Sequence, residues 1–162
     1  MKESTKEKIK IYIVAIAIPL AVGILSMLLT NDNMSLYEDI VMPPLSPPAP
    51  LFGIVWGILY VLMGVSSAMV FIDRKVNASA ASKGLSAYCI SLFFNLLWSV
   101  LFFNLRAFFF SFIWLAALFC LIVRTVIEYK KINRWAAYLQ IPYLLWVAFA
   151  GYLNIAIAFL NM

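Results

Sequence analysis

Apolar residues run through this chain in five long blocks, separated by short polar segments: about residues 11–29, 51–72, 85–105, 107–127 and 136–160. Each block is long enough to cross a hydrocarbon layer of ~30 Å, which takes ~20 residues at a helical rise of ~1.5 Å. None carries an ionised side chain near its centre. The blocks are continuous and show no alternation at period two, so a closed barrel is disfavoured. The pattern predicts an all-α membrane protein: a bundle of five transmembrane helices in a single domain over residues 1–162. Pro19 lies inside the first block and predicts a kink there.

Composition agrees with this reading. With 65% hydrophobic and only 12% charged residues, the chain has too little polar surface to coat a soluble globule. The charges instead set an orientation. Lys2, Lys6, Lys8 and Lys10 precede the first block; Arg74, Lys75 and Lys83 follow the second; Lys130, Lys131 and Arg134 follow the fourth, with Arg124 able to snorkel toward them. Eleven of the twelve basic residues thus fall on one side, leaving Arg106 on the other with Asp32, Glu38 and Asp39. This predicts the N-terminus inside and the C-terminus outside. The net charge of +5 is accounted for by topology, and no nucleic-acid partner is expected. A basic start before an apolar run is also the pattern of a cleavable signal, but this run has spanning length and ends in LLTNDNMS without a small-residue cleavage site, so an uncleaved first helix is expected.

Residue usage removes several chemistries. There is no histidine, and Cys89 and Cys120 show no CxxC spacing. No metal site, no resident cofactor and no conventional acid/base centre is therefore expected. Ionisable residues sit at the ends of the blocks, which argues against ion-coupled transport. The polar groups at depth are neutral: Ser66, Ser67, Ser91, Asn95, Ser99, Gln140 and Asn154.

Aromatic residues form stripes at helical spacing. Trp56, Tyr60, Met63 and Ser67 share one face of the second helix; Asn95, Trp98 and Phe102 share one of the third; Trp146, Phe149, Ala150, Leu153 and Asn154 share one of the fifth. Trp56 and Tyr60 lie ~8 and ~14 Å below the start of their helix. Tryptophan at such depth is not at the headgroup boundary where it usually sits. Two readings stand side by side: packing and lipid contact, or a shared pocket for a flat apolar ligand, entered from the outer side. Gly53, Gly57, Gly64 and Ala68 form a small-residue ridge that suits close helix packing within the chain or in a homodimer. The loop over residues 30–50 carries Tyr37 and five prolines between positions 43 and 50, and reads either as a stiff outer cover or as a lead-in to the helix starting at Pro50.

Three motifs in order, YEDIVMPPLSPPAPLFGIVWGILY, NLLWSVLFF and PYLLWVAFAGYLN, resemble the tryptophan-rich sensory protein and translocator protein family, also called the peripheral benzodiazepine receptor type. The resemblance covers all five blocks. It implies a bundle that binds porphyrins and other tetrapyrroles, with sterol-like lipids in some members. It also implies a pocket under the first loop, with Tyr37, Trp56, Tyr60, Asn95, Trp98, Trp146, Ala150, Leu153 and Asn154 at pocket or signature positions. Phe149 joins them by its place on the fifth-helix stripe. The chain departs from the family pattern at Met42, Leu45 and Trp114, and no basic residue follows Tyr152 to complete a sterol consensus. A match at Val126, Tyr129 and Lys131 is of a kind that arises by chance.

Three functions follow as expectations. The first is a protoporphyrin-binding sensor or transport protein. The second is a light-dependent porphyrin-degrading enzyme in which Trp56 and Trp146 supply the chemistry. The third is a structural membrane subunit. The resemblance and the lack of an organelle-type presequence place it in a bacterial cytoplasmic membrane.

Overall fold

The computed structural model describes residues 4–30 and 36–162. Helix α1 spans Thr5–Thr30 and starts ahead of the apolar block because Ser4 and Glu7 cap it reciprocally: the Ser4 N–H donates to Glu7 Oε2 (2.7 Å) and the Glu7 N–H to Ser4 Oγ (3.3 Å). Its first turns therefore carry Lys6, Lys8 and Lys10. A short helix α2, Leu36–Asp39, lies in the first loop, and α3 covers Ala49–Ile72 with Pro50 in its first turn, where a missing N–H costs nothing. Helix α4, Ala78–Ser99, begins well before residue 85 because the Asn77 side chain accepts from the Ala80 N–H (3.0 Å). It ends in a π-helical turn over Val100–Asn104 and is followed by α5, Phe108–Lys130.

The last apolar block, expected as one helix over 136–160, is two. Helix α6, Arg134–Leu139, is capped by Asn133 and separated at Gln140 from α7, Ile141–Leu160. Pro142 stands in the first turn of α7, lacks an N–H and cannot continue the preceding turn. A buried clamp holds the break: Gln140 Nε2 donates to Ser66 Oγ (3.1 Å), which donates to the Ala136 carbonyl (2.7 Å). With α6 and α7 counted as one span, five helical segments are long and apolar enough to cross a membrane, and no strand occurs among the described residues.

The helices pack in a ring. α1 lies against α3 and α4, α4 against α5, and α5 against α7, while α3 meets the fifth span mainly through α6. Lys6, Lys8, Lys10, Arg74, Lys75, Lys83, Lys130, Lys131 and Arg134 gather at one end; α2, the proline loop and Arg106 occupy the other.

In lipid, helices associate through close van der Waals contact, which favours small residues at crossings. Two glycines serve this purpose. A Cβ on Gly64 would come within 2.5 Å of the Ile16 Cα and 2.7 Å of the Ala15 carbonyl oxygen, and one on Gly23 within 2.3 Å of the Tyr60 ring. Gly53 and Gly57, expected to belong to the same packing ridge, face open space: nothing lies within 4 Å of a Cβ built on either. The ridge is thus split, one part closing the α1–α3 contact and one part leaving it open.

Substitution separates the two parts. Gly64→Ala pushes a methyl group into the α1 backbone and should destabilise the fold by about 1 to 3 kcal/mol. Gly57→Ala should leave stability unchanged or raise it by up to ~1 kcal/mol through helix propensity. Thermal unfolding of the two variants in detergent measures the difference; equal melting temperatures would contradict the crossing described here.

Candidate ligand cavity

Beyond the Gly64 crossing, α1 and α3 enclose a cavity of about 340 Å³ whose back wall is α4. Leu20, Gly23, Ile24, Ser26, Met27 and Thr30 line it from α1; Phe52, Gly53, Trp56, Gly57 and Tyr60 from α3; Asn95, Trp98 and Ser99 from α4; and Phe103 from the π turn. The α1 contributors at 20, 23, 24 and 27 follow the i, i+3, i+4, i+7 spacing of a single helical face.

Several polar groups of this wall are bonded within the protein. Asn95 Nδ2 donates to the Tyr60 hydroxyl (3.4 Å), both residues being buried. Trp98, 6% exposed, donates from Nε1 to Asn154 Oδ1 (3.0 Å), and Asn154 Nδ2 donates to the Phe108 carbonyl (2.7 Å). The hydroxyls of Ser26 and Ser99 pair across α1 and α4. Satisfied groups of this kind tolerate an apolar setting, whereas unpaired ones do not. None of the lining residues is ionisable near neutral pH. Trp56 stacks on Tyr60 with ring centroids 5.5 Å apart and planes at 27°, so an aromatic surface runs along the α3 wall.

The π turn has a local cause and a local effect. The Leu105 N–H reaches back five residues to the Val100 carbonyl (3.1 Å), which widens the turn, and the Ala107 N–H closes its end on the Leu101 carbonyl (3.1 Å). Phe102 and Phe103, adjacent in sequence, are both buried as a result, and only Phe103 borders the cavity.

Of the residues singled out in the sequence, Trp56, Tyr60, Asn95 and Trp98 meet in this cavity. Ala150, Leu153 and Asn154 border a void of about 10 Å³ behind it, with Met42, Phe102 and Ile157; Phe52 and Trp98 border both spaces. Trp146 and Phe149 line a separate apolar groove between α3 and α7, with Val55, Ile58, Leu59, Leu62, Pro142 and Leu145. Phe52 also meets Trp146 edge to face, with centroids 5.6 Å apart. The backbone of Tyr37 belongs to α2, and its side chain lies outside the described residues. Phe52, Phe103, the open glycines and the whole α1 wall escaped sequence reasoning. Phe52 carried a signal, standing four residues before Trp56 on the same stripe; α1 is apolar all round and carried none.

The first loop is fastened at the same end. The Val41 N–H donates to Asn161 Oδ1 (2.8 Å) and Asn161 Nδ2 returns a bond to the Val41 carbonyl (3.0 Å), so one side chain reads the backbone as a neighbouring strand would. Tyr152 donates to the Pro44 carbonyl (3.1 Å), and Leu36 and Pro43 are buried. Arg106 and Asp39 approach to 3.5 Å, but both are more than half exposed and such a pair contributes little.

The sequence profile of the TspO/MBR family matches residues 15–160, nearly the whole bundle. The chain belongs to the TspO/MBR family. It is an integral membrane protein of that family, as its five apolar helices require. Among its relatives, the tryptophan-rich protein TspO of Chlorobaculum tepidum is 34% identical, over 90% of this chain and 92% of its own length. The translocator protein of Bos taurus is 31% identical, over 76% of this chain and 73% of its own. The tryptophan-rich sensory protein of Cereibacter sphaeroides is 26% identical, over 77% and 76%.

The Trp98–Asn154 bond ties the cavity wall to α7, and its loss strands buried polar atoms. Asn154→Leu should cost about 1 to 3 kcal/mol. In a Trp98→Phe background the same change should cost clearly less, because the indole donor is already gone. A double-mutant cycle by thermal unfolding measures the coupling; strictly additive costs would mean the bond does not hold the wall.

Proposed function

We propose that this protein binds a tetrapyrrole, with metal-free protoporphyrin as the reference ligand, in the cavity between α1, α3 and α4, and acts as a membrane sensor or carrier for it. The observation that carries the reading is the lining: two indoles, the Tyr60 ring and the Asn95 amide around an uncharged space of about 340 Å³. That volume is within the ~300–1,000 Å³ of small-molecule sites. A flat macrocycle stacks on or against indole and phenol faces, and the Tyr60–Asn95 pair offers a hydroxyl and an amide that can reach its central nitrogens from one face of the ring. With no histidine in the chain, the metal-free ring suits the site better than an imidazole-ligated haem. Its acidic edge belongs at the end carrying Arg106, away from the gathered lysines. The excess of basic residues at the opposite end supports an orientation with that end in the cytoplasm, and the resemblance to bacterial relatives supports a bacterial cytoplasmic membrane. The names of the relatives, sensory and translocator, support a sensing or carrying role.

The Trp56–Tyr60 stack favours a second reading, oxidation of the bound macrocycle by dioxygen in light: the excited ring takes an electron from Trp56 and passes it to dioxygen, the indole radical cation recovers its electron from the ring, and the superoxide formed adds to the oxidised ring. A defined product formed on illumination and lost in Trp56→Phe supports it; equal bleaching of both proteins rejects it.

Binding is tested by quenching of tryptophan emission on titration with protoporphyrin in nanodiscs. Trp56→Ala should weaken the affinity by about tenfold, the ~1.4 kcal/mol of one aromatic contact, and Trp135→Ala, an exposed side chain at the start of α6, should not change it. Absence of saturable quenching in the unaltered protein would refute the proposal.

A further inference from the structure

We propose that the cavity is loaded from within the bilayer, through a lateral gap between α1 and α3 at Gly53 and Gly57, and that the molecule using this gap is a membrane-dissolved planar ligand. The inference rests on the binding reading for its ligand and on independent geometry for its route. The lining residues nearest the gap face outward as well as inward: Ile24 and Met27 on α1 are 57% and 59% exposed, and Gly53 on α3 is exposed too. All three positions lie inside membrane-spanning segments, so what they face is acyl chain. A Cβ on Gly53 or Gly57 would touch nothing, which leaves the α3 side of the gap as bare backbone.

The gap is a wedge with a defined apex. α1 and α3 touch at Gly64 and again where Gly23 meets the Tyr60 ring, and they part toward Thr30 and Gly53. At the loop end the picture is the reverse: the Asn161–Val41 pair, the Tyr152–Pro44 bond and a bond from Asn104 Nδ2 to the Leu29 carbonyl (2.8 Å) tie the neighbouring segments together. A ligand coming from water would have to disturb these bonds and lose contact with lipid. One already dissolved in the membrane has only to pass two glycines. An opening in the wall also accommodates a macrocycle that extends beyond the cavity, its edge resting among acyl chains.

Two measurements test the route. In the first, stopped-flow quenching with protoporphyrin in nanodiscs compares the unaltered protein with Gly53→Leu, whose side chain enters the gap without a clash. Obstruction of the route should slow both association and release, association by about tenfold, within the one to three decades over which it varies among variants of one site; because Gly53 also lines the cavity, any change in affinity is read separately by titration. Unchanged rates would overturn the lateral route. In the second, which needs no porphyrin, Trp98 is kept as the single indole and the protein is placed in bilayers of lipid brominated along the acyl chain. Bromine should quench this buried ring, and Gly57→Leu should remove most of the effect. Equal quenching in both proteins would overturn the gap. If protoporphyrin fails to bind while Gly57→Leu still protects Trp98 from bromine, the gap stands and the assigned ligand falls.

Discussion

Backbone contact between α1 and α3 at Gly64 is the constraint from which the cavity follows. Helices in lipid gain nothing from hiding apolar surface, since acyl chains are as apolar as leucine, and they associate where small residues let them touch. Gly64 allows that contact at one level, and Tyr60 against Gly23 sets the next. Further along, the bulk of Phe52 and Trp56 on α3 faces α1 across bare Gly53 and Gly57, and the helices enclose space. A tight crossing and an open wedge are two consequences of where the side chains are absent.

The wall of that space is polar in atoms and neutral in charge. In a medium without water a buried N–H is best satisfied by protein, and the Trp98–Asn154–Phe108 chain does this for the Trp98 indole. The same chain explains how α7 shapes the site without lining it. Asn154, Ala150 and Leu153 act from behind Trp98, one layer back, whereas Trp146 turns toward a separate groove against α3. Residues on one stripe of α7 are thus divided between two surfaces.

Irregular backbone supplies the remaining detail. The π turn at Val100–Asn104 brings two adjacent phenylalanines inward, and the break at Pro142 lets α6 stay against α3 while α7 follows α5. Both lie at helix positions where ordinary i to i−4 bonding is interrupted and neighbours supply the partners. The proline loop is held by the side chains of Tyr152 on α7 and Asn161 just beyond it, which tie the first loop to the fifth span.

Five uninterrupted apolar blocks determined by themselves that this chain is a bundle of spanning helices, since only helices and closed barrels satisfy backbone groups in lipid and the blocks lack alternation. Charge placement alone determined which ends lie together. The stripes through Trp56 and Tyr60 and through Asn95 and Trp98 were also legible, because helical periodicity fixes which residues share a face. Periodicity within one helix cannot say which neighbour that face meets, so only the tertiary structure decided that α1 forms the front wall and that Trp146 belongs to another surface. It alone separated Gly64 from Gly53 and Gly57. A glycine in sequence states only that a side chain is missing, and whether the vacancy is filled by another helix or left open depends on how far apart the helix axes lie at that height.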